Sequence, residues 1–258
     1  MSFPVFIHLG PWRLHPHLMF EVLAYAVGFQ VYLYLRRRYG DPLSTGTRWR
    51  IVAAAIVGAA VGSRVLHWLE SPVLIPGHWS DPQFLFGGKT IVGGLIGGLI
   101  AVEGTKRWIG VTTATGDLFA IPLAIGTAIG RVGCFLTGLS DDTYGRPTAL
   151  WTGVDFGDGI PRHPTQLYEI AFLALLTIAL MKARHDLPRA GDQFRLFMIG
   201  YLAFRLVVDL LKPEPALALG LSSIQWACVA MIAYYFPDAR RWARNWRGET
   251  AGSPRAAV

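Results

Sequence analysis

The sequence predicts an all-α polytopic membrane protein with seven transmembrane helices and a small extracytoplasmic head. Three observations carry that expectation. Hydrophobic residues make up 52% of the 258-residue chain and charged residues only 16%, against the ~25% charged typical of a soluble domain, and the mean hydropathy is +0.37. Apolar runs recur at roughly bilayer length, about 20 residues. The basic residues that give the chain its net charge of +7 gather in alternate gaps between those runs, the pattern of the positive-inside rule. That placement also argues against a nucleic-acid partner, which would call for one contiguous basic surface.

The apolar runs fall at about 18–35, 51–69, 90–102, 118–137, 166–181, 194–211 and 222–236. No basic region precedes the first, so no cleavable signal is expected. The third is short, and is read either as a re-entrant segment or as a tilted helix extended backwards through 84–88. Charge decides that it crosses. Arg36, Arg37, Arg38, Arg48 and Arg50 follow the first run, and Lys106 and Arg107 the third. Lys182, Arg184 and Arg189 follow the fifth, and Arg240, Arg241, Arg244, Arg247 and Arg255 the seventh. The opposite side receives only Arg13, Lys89, Arg146, Arg162 and Lys212. This alternation needs all seven crossings, with the N-terminus outside and the C-terminus in the cytoplasm.

The chain reads as one transmembrane domain, 1–258, with the segment 138–165, rich in Gly, Asp and Pro, as an external head without a core of its own. Gly93, Gly94, Gly97 and Gly98 form two interleaved small-xxx-small pairs, and Gly58 with Gly62 and Gly126 with Gly130 repeat the spacing. Such pairs admit close helix packing; a role in binding a ligand stands beside that reading. Cys134 and Cys228 both lie inside apolar runs, which argues against a disulfide framework.

With the direction assigned, the ionisable residues inside the runs acquire a depth. Glu21, Arg64, Arg131, Glu169, Arg205 and Asp209, with Gln166, all fall in the outer halves of their spans. For Arg64, snorkelling to the interface and a part in a functional site are both open readings. Arg205 precedes Asp209 by four residues, so the two share a helix face and can pair. Charges placed this deep mark a functional site by default. Two guanidiniums at headgroup depth suit a phosphate, because the planar fork matches its oxygens. The expected ligand is a phospholipid held by Arg131 and Arg205, with Asp209 or Glu169 balancing Arg131. A transporter would instead place its charges near the midplane.

Several segments resemble the prolipoprotein diacylglyceryl transferase family. "GRVGCFLTG" resembles its Gly-Arg-x-Gly signature, "RHPTQLYE" its His-Pro-Ser/Thr-Gln-Leu-Tyr-Glu motif, "VGGLIGG" its glycine-rich segment and "IGYLAFRLVVD" its sixth-span segment; "LGPWRLH" and "YAVGF" extend the likeness to the start of the chain. The resemblance implies a bacterial inner-membrane enzyme that moves a diacylglyceryl group from phosphatidylglycerol to the thiol of a lipobox cysteine in a preprolipoprotein, releasing glycerol phosphate, with no cofactor or metal. It implies substrate-binding roles for Gly93, Gly94, Arg131, Gln166, Tyr168, Glu169, Arg205, Asp209 and Lys212. The chain departs from the family pattern at Val92, where His is usual, and at Cys134, where Asn is usual. Glu21 replaces a Tyr, Leu139 a Glu, and Arg205, Asp209 and Lys212 stand for Arg-x-x-x-Glu-x-x-Arg. The general base is therefore sought at Glu21, at Asp209, which pairing with Arg205 would occupy, or at His163, which is read slightly more readily as a loop residue fixing the head. Cys134 is read as a small apolar packer rather than a nucleophile. A divergent paralogue with the same donor but another acceptor, and a non-catalytic phospholipid-binding protein, are the competing functions.

Overall fold

The computed structural model describes residues 3–78, 80–187, 189–213 and 215–246. Seven long helices dominate the described residues: α1 (Pro16–Tyr39), α2 (Thr45–Trp68), α5 (Ile91–Trp108), α6 (Asp117–Thr137), α7 (Thr165–Ala183), α8 (Asp192–Val208) and α9 (Ser223–Trp246). Two short helices, α3 (Ile75–His78) and α4 (Pro82–Phe86), join α2 to α5. Two small antiparallel hairpins complete the fold: β1 (Ile7–Leu9) with β2 (Trp12–Leu14), and β3 (Val154–Asp155) with β4 (Pro161–Arg162). Among the described residues four segments, Pro16–Tyr39, Thr45–Trp68, Asp117–Asp141 and Thr165–Ala183, are long and apolar enough to cross a membrane. Exposed Val22, Leu23, Phe29, Ile56, Val57 and Val61 on α1 and α2 suit a lipid surround.

Local chemistry sets the boundaries. Proline opens α1, where its fixed φ suits the first turn. Gly40, at φ +79°, returns its N–H to the Arg36 carbonyl and closes the helix. Ser44 caps α2 by accepting from the Thr47 amide, and Thr90 caps α5 by accepting from the Gly93 amide. That cap corrects the backward extension expected of the third apolar run. The helix starts at Ile91 and grows forwards to Trp108, and 84–86 belongs to the separate α4. At 18 residues its length is about 27 Å at 1.5 Å per residue.

The α2–α5 contact uses the glycine spacing for close approach. A Cβ at Gly62 would lie 2.4 Å from the Gly93 carbonyl oxygen, and one at Gly97 would lie 2.2 Å from that of Gly58. The residues flanking α1, α2, α5, α6, α7, α8 and α9 meet at one end of the bundle. There Asp41 binds Arg36 and Arg48, whose Nη1 donates to the Thr115 carbonyl at 3.1 Å. Asp117 accepts from the Gly191 and Phe194 amides, Asp192 takes Arg241 and Trp242, and Arg184 lies 3.6 Å over the Tyr39 ring. Successive long helices thus alternate in direction. Arg247 and Arg255 fall outside the described residues.

The segment 138–165 packs around an aromatic side chain that meets rings from other parts of the chain. Phe156 is 1% exposed and touches the rings of Phe3, Phe135 and Tyr144. One aromatic side chain supplied by the N-terminal segment and one by α6 lend the loop apolar area it lacks by itself.

Candidate functional site

At the other end of the bundle, α6, α7 and α8 bring buried charges together. Arg131 Nε lies 2.8 Å from Glu169 Oε2, and Arg205 Nη1 donates to the same oxygen at 3.3 Å. Arg205 Nη2 lies 2.8 Å from Asp209 Oδ1, and Lys212 Nζ lies 3.8 Å from it. The Tyr201 hydroxyl donates to Glu169 Oε1 at 2.6 Å. None of these residues is more than 7% exposed. Three cations face two carboxylates, so the cluster carries an excess positive charge. A guanidinium has more donors than these partners occupy, and Arg205 Nε is buried without a hydrogen-bond partner among the described residues. Burial and the neighbouring guanidiniums pull Lys212, which lies just beyond the last turn of the helix, down to about 8.

Of the two balancing groups considered for Arg131, Glu169 is the one it meets. Tyr201 was not singled out from sequence, although its position four residues before Arg205 puts both on one helix face. Arg64 stands apart: its guanidinium donates to the carbonyls of Ala60 and Phe86, as a side chain reaching for the interface would.

Gln166 is 1% exposed, and its Nε2 donates to Thr143 Oγ1 at 3.1 Å. His163 Nδ1 and the Tyr168 hydroxyl are 3.3 Å apart, and that hydroxyl is 3.1 Å from Thr152 Oγ1. His163 and Tyr168 therefore tie the 138–165 segment to α7. Val92 is 0% exposed within the apolar core. Gly93 serves the α2–α5 contact, since a Cβ there would meet the Gly62 carbonyl oxygen at 2.4 Å, whereas one at Gly94 would make ordinary contact, 3.6 Å from the Ala59 carbonyl oxygen.

Glu21 lines an open cavity of about 410 Å³ with His15, His17, Leu18, Thr137, Ser140 and Asp141. Its Oε1 accepts from Lys89 Nζ at 2.9 Å and from the Tyr25 hydroxyl at 3.3 Å, and its Oε2 lies 3.7 Å from His17 Nε2. His17 Nδ1 is 2.7 Å from Asp141 Oδ1. Cys134 lies behind this pair, with Arg131 Nη1 donating to its sulfur at 3.7 Å. Cys134 is thus not surrounded by apolar groups alone, as a packing residue would be. The meeting of His17, Cys134 and Asp141 escaped the sequence because it joins the first turn of α1, the last turn of α6 and the turn that follows.

A family model described as "Prolipoprotein diacylglyceryl transferase" matches residues 4–236. Three relatives named phosphatidylglycerol–prolipoprotein diacylglyceryl transferase show the extent of the similarity. The Bordetella bronchiseptica protein is 33% identical over 253 residues, covering 89% of this chain and 91% of its own. The Cupriavidus metallidurans protein is 34% identical, covering 89% of each chain. The Methylococcus capsulatus protein is 32% identical over 240 residues, covering 89% of this chain and 88% of its own.

Proposed function

This chain belongs to the prolipoprotein diacylglyceryl transferase family, and we propose that it transfers the diacylglyceryl group of phosphatidylglycerol to the lipobox cysteine of a prolipoprotein. It is a multi-pass membrane transferase. All seven long helices span the inner membrane in this reading. The 138–165 segment forms the extracytoplasmic head, the N-terminus is outside and the C-terminus in the cytoplasm. Supporting this are the alternate basic gaps and the gathering of those gaps at one end of the bundle.

The observation that carries the reading is the buried, positively charged cluster of Arg131, Arg205 and Lys212 on Glu169 and Asp209. Phospholipid tails lie between helices while the phosphate takes the spare guanidinium donors. In the reaction the acceptor sulfur attacks the glyceryl carbon that bears the phosphate oxygen. The C–S bond forms as the C–O bond breaks, and glycerol phosphate leaves with the charge that the two arginines stabilise. The acceptor thiol first gives up its proton, since the thiolate is the nucleophile. Glu21, on the wall of the open cavity, is the base. Its oxygens meet Lys89, the Tyr25 hydroxyl and His17, which hold it as the carboxylate that takes up the proton. Gln166 and Tyr168 hold the head over the site, and Gly94 leaves room for a lipid.

The apolar burial of Val92 favours one second reading, the same lipid donor with a different acceptor, because that position offers no base. Purified protein with labelled phosphatidylglycerol and a lipobox peptide separates the two. Labelled peptide and free glycerol phosphate together support the transfer. Glycerol phosphate without labelled peptide supports the second reading, and neither product refutes both.

A further inference from the structure

We propose that His17, Cys134 and Asp141 form a zinc site whose open fourth position takes the acceptor thiol, an inference that rests on the transfer reading above. Among the described residues these three are the grouping of potential metal ligands, with one ligand atom from each lying within 4.8 Å of the others. A catalytic zinc site takes three protein ligands and keeps one position for substrate, at bond lengths of about 2.0–2.3 Å. Tetrahedral ligand atoms at those lengths are about 3.4 Å apart. His17 Nδ1 and Asp141 Oδ1, at 2.7 Å, need separate by less than about 1 Å to admit the ion. One sulfur, one nitrogen and one oxygen suit a borderline-soft ion such as Zn2+.

The surroundings are those of a supported site. Gln166 Nε2 donates to Thr143 Oγ1 at 3.1 Å, and Thr143 Oγ1 donates to Asp141 Oδ2 at 2.6 Å, which fixes the carboxylate. His17 and Asp141 line the open cavity and Cys134 lies buried behind them, so an ion held by all three faces the cavity. Arg131 Nη1 is 3.7 Å from the Cys134 sulfur. The phosphate cradle and the metal therefore adjoin through one guanidinium, which sets donor and acceptor side by side.

The chemistry balances with no further reagent. The acceptor thiol would bind the metal as thiolate, as a coordinating thiol does, its proton leaving to the water of the open cavity. The sulfur then forms the C–S bond while the phosphate oxygen departs with the C–O electron pair. The neutral thioether is a weaker ligand and leaves. A metal in this position supplies the thiol activation for which Val92 has no group.

The test uses the full chain in detergent, loaded with Zn2+ or Co2+ and desalted. The parent should retain about one zinc per chain, and its cobalt form should show thiolate-to-metal charge-transfer absorption. Cys134→Asn should abolish that absorption, and His17→Gln and Asp141→Asn should weaken zinc retention by more than ~100-fold, beyond the loss typical of an outer-shell change. Gel filtration checks the fold of each variant, and half-exposed His17 keeps the test valid if Cys134→Asn does not fold. A parent that holds no more zinc than Cys134→Asn, or lacks the cobalt absorption, overturns the site. Undiminished transfer by metal-free protein overturns the activation while leaving the transferase reading intact. Retained zinc and cobalt absorption without any consumption of phosphatidylglycerol supports the site and refutes the transferase reading.

Discussion

Replacing Glu169 with Gln is the sharpest probe of the buried charge cluster. The carboxylate is 2% exposed, and Arg131 and Arg205 share its Oε2 at 2.8 and 3.3 Å. Two unit charges about 4 Å apart attract by about 4 kcal/mol at an effective dielectric constant near 20. Glu169→Gln forfeits two such attractions and regains the cost of burying the carboxylate, which leaves a net loss of ~3–5 kcal/mol, the usual result of stripping one partner from a buried pair. Only Asp209 would then face three cations. Arg131→Met in the Glu169→Gln background removes one stranded cation and should recover ~2 kcal/mol or more, a coupling that a double-mutant cycle isolates. The assay is unfolding of the four detergent-solubilised proteins under one set of conditions. Glu169→Gln within about 0.5 kcal/mol of the parent, or strictly additive losses in the double variant, would refute the charge-balance argument.

Arg131→Lys and Arg205→Lys keep the charge and lose the fork; each should lower glycerol phosphate release ~10–100-fold, about the 1.5–3 kcal/mol of a charged hydrogen bond, and parental rates would reduce these residues to structural partners. Gly62→Val should cost at least ~2 kcal/mol by forcing α2 from α5, whereas Gly94→Ala should unfold with the parent, so a selective loss of turnover in Gly94→Ala would mark lipid contact there. For Lys212 the folded value of about 8 lies below the ordinary 10.5, so the folded state binds fewer protons between those values and stability should rise with pH across that window; a Lys212→Met protein whose melting curve rises equally over the window would rule Lys212 out as the cause. In intact cells an impermeant thiol reagent should label Ser140→Cys, at an exposed position, but not Ser253→Cys, which lies outside the described residues; the reverse pattern would invert the topology.

Much of the architecture was legible because it is written in local terms. Run length and the four-residue spacing of Arg205 and Asp209 each act within a few helical turns. The same local reading misjudged α5, where the Thr90 cap blocks the backward extension, and it could not see that Phe3 and Phe135, from other parts of the chain, pack on Phe156.

By itself the sequence determined that the chain is helical and lipid-embedded, that the ionisable residues inside its apolar runs lie towards one end of those runs, and that its motifs resemble one transferase family. Only the tertiary structure decided that Arg131 and Arg205 share Glu169, that Tyr201 completes their hydrogen bonding, and that His17, Cys134 and Asp141 converge. The reason is geometric. Depth along a helix follows from counting residues, but which side chains meet across helices depends on rotation and register. Those are set by close backbone contacts such as Gly62 on Gly93, and by α1 against α6, where a Cβ at Gly133 would meet Phe20 Cβ at 2.8 Å.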